Sequence, residues 1–599
     1  MPRDTAIRSP EEVLHEVFGH GGFRGRQAEV VNHVVAGGSG LVLMPTGGGK
    51  SLCFQVPALC RPGLAIVVSP LIALMEDQVA ALRQQGVAAA ALHSELEEEE
   101  RRAVWRDILS GQLKLLYVSP ERLSMEGMLE RLASRSLALF AIDEAHCISQ
   151  WGHHFRPEYR ALTLLHGRFP EVPRIALTAT ADGRTVEDIR RLLDLQDAPV
   201  FRSSFDRPNI HLAAAPRESE RQQLRAFLRR VDGTGIVYCG TRNKAEQTAE
   251  WLRNDGHDAL AFHAGMDTAA KREAHRRFAR GEEVIMCATI AFGMGIDRPD
   301  VRFVAHLALP QGPEGWYQEI GRAGRDGLPA RALLLYGAGD IALSRHRIAE
   351  SPAGAEQKRI ERARLDAMVA IAESATCRRR TLLRCFGEEL EKDCGACDVC
   401  MNPPRLVDAT VAAQKLISAA VRTGSRFGLG HLVDVLRGRM TDKIAQFGHD
   451  RLPTFGKGKD VAEGAWKDIA RQLVAEGALD VAVENFGELV PTEAARPLLR
   501  GERAFLLRES SFQPRAARED RVAPPSDDPV FGALREWRKE EARKQQVPAY
   551  VIFHDQTLAE IASRHPRSLD ELREVPGVGE SKLNRYGAAV LSVLESVPA

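Results

Sequence analysis

An α/β fold built on two parallel sheets, followed by smaller and mainly helical modules, is what this sequence predicts. Three observations carry that expectation. From about residue 28 to 340, short apolar runs rich in β-formers alternate with amphipathic stretches. The first of these runs feeds a glycine-rich Thr46-Gly47-Gly48-Gly49-Lys50-Ser51 segment. Five of the ten cysteines crowd into residues 377–400. Continuous apolar strands between helical segments imply parallel sheets covered on both faces.

The runs fall into two sets. The first is Gly40–Met44, Ala65–Ser69, Leu115–Ser119, Leu137–Asp143 and Arg174–Thr178. The second is Gly235–Tyr238, Asp258–Phe262, Val284–Ala288, Val301–His306 and Ala332–Tyr336. Two sets mean two α/β domains, divided near Ser203–Arg207. Residues 343–385 are polar, helical in period and rich in arginine. Residues 408–500 read as helices plus one hairpin, 508–529 as a flexible linker of Pro, Ser and charge, and 530–599 as a small helical unit. The expected domains are therefore 1–203, 204–342, 343–403, 404–507 and 530–599, with 508–529 between the last two.

Composition excludes several classes. The chain has 599 residues, 44% apolar and 27% charged, which is ordinary for folded soluble protein and long enough for several domains of about 100–200 residues. No apolar run approaches the roughly 18–20 residues of a membrane span. The first residues, MPRDTAIRSPEE, hold no apolar signal core. Few cysteines in so long a chain point to a reducing, cytoplasmic setting. With 81 basic and 81 acidic residues, net charge says nothing of nucleic acid, so any such surface must be local.

The glycine-rich segment after Leu41–Met44 reads as a phosphate loop. Backbone N–H groups at a helix start wrap phosphate oxygens, Lys50 meets the β- and γ-phosphates, and Ser51 binds Mg²⁺. The strict pattern wants glycine where Met44 stands. Asp143 and Glu144 close the Leu137–Ile142 run, where a Mg²⁺-holding carboxylate and a water-orienting carboxylate belong. In Gln318–Arg325, QEIGRAGR, Arg322 and Arg325 are expected on one helical face. Arginines brought from a second domain neutralise charge developing on the γ-phosphate. Cys377, Cys394, Cys397 and Cys400 have the C-x16-C-x2-C-x2-C spacing of a structural Zn²⁺ site, with an Fe–S cluster as the rival and Cys385 outside the set.

These residues resemble the superfamily 2 helicases and, among them, the RecQ DNA helicases. The resemblance runs through FRGRQ (23–27), MPTGGGKS, VVSPLIALMEDQ (67–78), YVSPERL (117–123), DEAHCISQWG (143–152), ALTATA (176–181), IVYCGTR (236–242), FHAGM (262–266), ATIAFGMGIDRPDVR (288–302) and QEIGRAGRDG (318–327). It implies two RecA-like lobes, a zinc module, a winged helix at 404–507 and a helical HRDC domain at 530–599. It also implies an ATP- and Mg²⁺-dependent helicase travelling 3′→5′ along DNA in recombination, repair and replication-fork processing. Its partners would be single-stranded and forked DNA, with single-strand-binding and recombination proteins beside it.

Residue by residue, the resemblance implies adenine recognition by Phe23, Arg24 and Gln27, an arginine finger at Arg325, and coupling of nucleotide to DNA through His146 and Gln318. The segment CISQWGHHFRPEY offers Trp151, Phe155, Arg156 and Tyr159 to single-stranded bases, worth about 1–3 kcal/mol per stacked base. His154 departs from the acidic residue expected there. In the winged helix, Arg437, Arg439 and Lys457 belong to a basic bias suited to duplex phosphates, and Phe486 marks the wing tip. In the last domain, Pro576–Gly579 before a helix, with Lys582, Arg585 and Tyr550, offers a weaker strand-binding face. The rival readings are the same motor acting on RNA or pumping along duplex without unwinding, and a catalytically silent DNA-binding scaffold.

Overall fold

The computed structural model describes residues 8–149, 155–179, 183–293, 298–482, 488–508, 528–545 and 547–597. Trp151 and His154 in the aromatic segment, and Phe486 at the wing tip, lie outside these residues.

The first lobe is a seven-stranded sheet in the order β3-β4-β2-β5-β6-β1-β7. Its strands are β1 (Gly40–Leu43), β2 (Leu64–Val68), β3 (Ala89–Leu92), β4 (Leu115–Val118), β5 (Leu137–Ile142), β6 (Arg174–Thr178) and β7 (Val200–Arg202). All pairings are parallel. The central strands are buried on both faces, which explains why they read as unbroken apolar runs. The second lobe is a six-stranded parallel sheet, order β10-β11-β9-β12-β13-β8. It comprises β8 (Ile210–Pro216), β9 (Gly235–Tyr238), β10 (Ala259–Phe262), β11 (Ile285–Ala288), β12 (Phe303–His306) and β13 (Ala330–Tyr336). β3, β7 and β8 are strands beyond the two expected sets.

After β13, helices Ala338–Glu350 and Ala355–Ala372 lead to the cysteine module, with helix Arg378–Arg384 and the short turn Asp398–Met401. The module is fastened to the second lobe. Buried Arg378 donates to both Asp398 oxygens at 2.9 Å, and Asp398 accepts the Ala214 N–H of β8 at 3.0 Å.

The next unit packs helices Thr410–Arg422, Leu429–Arg437, Asp442–Phe447 and Glu463–Ala475. Strand β14 (Leu406–Asp408) pairs antiparallel with β17 (Leu506–Arg508), and β15 (Leu479–Ala482) with β16 (Glu488–Pro491), which is the wing hairpin. Residues 529–596 form a five-helix unit with its own apolar core, including Leu534, Ile561, Leu572 and Val590. Among the described residues, no helix is long and apolar enough to cross a membrane.

Candidate nucleotide, metal and nucleic-acid sites

β1 delivers the chain into the phosphate loop, and helix Leu52–Cys60 starts after Ser51. Gly47 and Gly49 hold φ of +79° and +75°, a region costly for side chains. A Cβ on Gly49 would meet the Gln27 amide nitrogen at 2.2 Å. Gln27 is buried at the start of helix Gln27–Val35. Its amide donates to the Gly48 and Gly49 carbonyls at 3.2 Å, and its oxygen accepts the Arg24 N–H at 2.8 Å. Gln27 thus shapes the phosphate loop. Lys50 Nζ lies 3.2 Å from the Met44 carbonyl and 3.3 Å from that of Pro45. Thr46 is buried beside them.

Asp143 and Glu144 follow β5 in the same sheet. The Glu144 N–H donates to Asp143 Oδ1 at 3.0 Å. Glu144 sits in the left-handed region at φ +46°, a strained placement of the kind that clusters at active sites. That turn brings Glu144 Oε2 to 3.3 Å from His146 Nδ1, which is itself 2.9 Å from Thr178 Oγ1 at the end of β6. The buried His146 imidazole thus stands between Glu144 and the end of β6, its Nδ1 facing both.

The second lobe supplies the arginines, though not on a helix. Helix Pro313–Ile320 stops before them, and residues 321–327 form turns in which Gly324 and Gly327 have positive φ. The expectation of one helical face is corrected: three glycines in GRAGRDG end the helix and present the arginines from a turn. Arg325 lies against the phosphate loop, its Cα and Cγ 3.5 Å from where a Gly47 Cβ would stand. Arg322 is buried beside Tyr238; burial pushes that phenol up to about 12, and the Arg322 charge opposes the rise. Gln318 is buried on the same helix. Arg325 of the second lobe thus meets the phosphate loop that carries Lys50, while Asp143 and Glu144 follow β5 of the same first-lobe sheet. A glycine cradle with a lysine, a serine at a helix start and a strand-end carboxylate fits a nucleoside triphosphate with Mg²⁺.

The sulfurs of Cys377, Cys394, Cys397 and Cys400 lie within 4.8 Å of one another. Backbone N–H groups of Cys394, Ala396 and Cys400 point at the sulfurs of Cys377, Cys394 and Cys397 at 3.3–3.4 Å. Four clustered sulfurs, three of them met by backbone amides, are the donor set of a closed structural zinc site. Cys385 bonds the Thr381 carbonyl instead.

On the DNA side, Phe155 is 37% exposed, with the Arg160 guanidinium 5.4 Å from its ring. Arg156 donates to the Pro70 carbonyl at 2.8 Å. Tyr159 requires a correction. It is fully buried, and its hydroxyl donates to the Asp143 carbonyl at 2.9 Å, so it braces the acidic turn and does not stack on bases. In the winged helix, Arg437 holds the Val461 carbonyl, Arg439 pairs with Glu463 and Asp434, and Lys457 is exposed. The same unit holds an aromatic group that sequence reading missed: Phe427 stacks on His431 and Phe447 on His449, Phe427 stands edge-on to Phe447 and His449, and Phe447 is 53% exposed.

The last domain also corrects an expectation. Lys582 is 7% exposed, its amine 5.5 Å from the Phe553 ring, and burial lowers it to about 8. It is a buried residue and not a strand contact. The Gly577 N–H donates to the Gly19 carbonyl of the first lobe, Arg585 to Gln84 at 2.6 Å and Tyr550 to Asp77 at 3.2 Å. The face expected to meet a phosphate is occupied by the chain itself.

Comparisons with known proteins agree with this layout. Residues 24–189 match the DEAD/DEAH box helicase model and 219–327 the helicase conserved C-terminal domain. Residues 338–401 match RecQ zinc-binding, 403–516 the RQC domain and 527–594 the HRDC domain. The chain is 43% identical to the ATP-dependent DNA helicase RecQ of Pasteurella multocida, across 98% of this chain and 93% of that one. It is 43% identical to the Haemophilus influenzae protein of the same name, over 97% and 95%, and 36% identical to that of Bacillus subtilis, over 98% and 99%. With two α/β lobes meeting at a phosphate loop, a four-cysteine module and those full-length likenesses, the chain belongs to the RecQ family of ATP-dependent DNA helicases.

Proposed function

We propose the following division of labour for the ATP-dependent DNA helicase reaction of this RecQ-family chain. The loop Thr46–Ser51 and Lys50 hold the triphosphate, Ser51 and Asp143 hold Mg²⁺, and Glu144 orients the attacking water. Held there, Mg²⁺ would supply positive charge that offsets the negative charge of the phosphates. Arg325, with Arg322 behind it, neutralises charge gathering on the transferred phosphoryl group. Phe23, Arg24 and Gln27 serve adenine. The contact that carries this reading is Arg325 against Gly47: the second lobe brings a guanidinium up to the loop that carries Lys50, and both cations face the same small space.

His146 relays the state of Glu144 to Thr178. Together with the segment from Trp151 to Arg156, it ties hydrolysis to a single strand stacked on Trp151 and Phe155. The winged helix, through Arg437, Arg439 and Lys457, grips the duplex ahead with Phe486 at the parting base pair. Travel is 3′→5′, and the setting is cytoplasmic, with single-strand-binding and recombination proteins as protein partners.

The test is ATPase with and without single-stranded DNA, paired with unwinding of matched DNA and RNA forks. DNA-stimulated turnover with DNA-fork unwinding is expected. Equal unwinding of RNA forks would refute the substrate assignment, and silent hydrolysis would leave only a scaffold.

A further inference from the structure

The chain crosses from first lobe to second through residues 203–209, and one guanidinium there belongs to none of the motifs already discussed. Arg207 Nη1 donates to the Thr46 carbonyl of the phosphate loop and to the Gly321 carbonyl at 3.3 Å. Arg207 Nη2 donates to the Ala323 and Gly324 carbonyls at 3.0 and 2.8 Å. A single planar group therefore joins the loop that cradles phosphate to the turn that presents Arg322 and Arg325. Arg207 Nη1 also comes within 3.3 Å of where a Gly47 Cβ would stand.

Its surroundings fix its aim. Arg379 of the cysteine module holds Asp206 at 2.7 Å and bonds the Ile210 carbonyl. Tyr317 donates to the Phe205 carbonyl at 2.8 Å, and the Phe205 N–H donates to Glu388 at 2.7 Å. Asn209 donates to Gly324 and Leu328 carbonyls at 2.8 and 2.9 Å, securing the turn from its far side. Three of the acceptors, the Gly321, Ala323 and Gly324 carbonyls, lie in the turn where helix Pro313–Ile320 gives out, a place that favours a cation. Only a rigid fork of several N–H groups reaches them together; an ammonium is a single point.

We propose that Arg207 is a positioning residue for hydrolysis, clamping the 321–324 turn to Thr46 so that closure of the lobes always brings the two arginines to the phosphates in the same register. The proposal rests on the reading that Arg322 and Arg325 serve the triphosphate. Misplacing a catalytic group by about 1 Å costs roughly 10²-fold, so the effect falls on turnover.

The experiment compares Arg207→Ala and Arg207→Lys in the full chain, with Arg325→Ala in parallel. Steady-state ATPase on single-stranded DNA gives kcat and KM, fluorescence anisotropy gives strand affinity, and thermal melting checks the fold. Both Arg207 variants are expected to lose about 10–100-fold in kcat, with KM and strand affinity within about threefold of the parent. Lysine rescuing kcat would overturn the proposal, since charge alone would then suffice. A raised KM with kcat retained would overturn it by making Arg207 a binding residue. Failure of both variants to fold would overturn it by making Arg207 part of the core. Full turnover in Arg325→Ala would instead bring down the underlying arginine reading, whatever Arg207 does.

Discussion

Replacing Asp398 by asparagine removes a carboxylate that two guanidinium nitrogens of Arg378 meet at 2.9 Å. Arg378 is fully buried, and its remaining donors go to the Ile371 and Ala372 carbonyls. Stripping the partner from a buried charge costs about 3–5 kcal/mol. Asparagine keeps one acceptor, so the low end, about 3 kcal/mol, applies, and the opening equilibrium of the module rises by roughly 10²-fold. Asp398 also caps the Ala214 N–H, so opening separates the module from the second lobe. The assay is amide hydrogen exchange across residues 371–401, read beside zinc transfer to a colorimetric chelator. Both should quicken by about two orders of magnitude if exchange follows local opening. Exchange and zinc loss within threefold of the parent would refute the reasoning. The pH response has a definite sign. Burial alone would raise the Asp398 carboxyl, but Arg378 outweighs it and holds the value below the usual range. Its contribution is complete above the unfolded value of about 3.9 and is lost as pH falls through the folded one.

Further outcomes follow from other contacts. Lys50→Ala should cut ATPase by at least about 10²-fold while strand affinity, measured by anisotropy, stays within about threefold. His146→Ala should lower the ratio of DNA-stimulated to basal ATPase, because its imidazole lies 2.9 Å from Thr178 Oγ1 and 3.3 Å from Glu144 Oε2; an unchanged ratio would refute the relay. Gly577→Ala puts a Cβ 2.2 Å from Thr557 Oγ1 at φ +92°, and should destabilise the terminal domain by about 1–3 kcal/mol in thermal melts. Lys582→Met should raise the melting point of that domain at pH 7. In the parent, stability should grow as pH rises from about 8 toward the usual lysine value of 10.5, because the folded state holds the amine's proton less tightly; a flat profile would refute it.

Much of the molecule was readable from residue order, and the misses have physical causes. The apolar runs that became β1, β2, β4, β5 and β6 announced themselves because both their faces are covered. β3 did not: Ala89–Leu92 is mostly alanine, the best helix former, and only its pairing with β4 makes it a strand. The thiol cluster was visible because the spacing of thiolates is local. Tyr159 looked like an exposed ring because it lies in an aromatic stretch, and its inward turn depends on the backbone of Asp143. Arg207 escaped notice because its acceptors are main-chain carbonyls 114 to 161 residues away, and such groups leave no mark on sequence.

The seating of Gly577 on Gly19 and of Arg585 on Gln84 changes what a shortened gene product would mean. Cutting the chain ahead of Pro529 does not simply subtract an appendage. It wets a patch of the first lobe that was dry, strands the Gly19 oxygen and leaves the Gln84 amide to find water. Any difference between long and short forms therefore mixes two causes, a missing tail and a freshly bared flank.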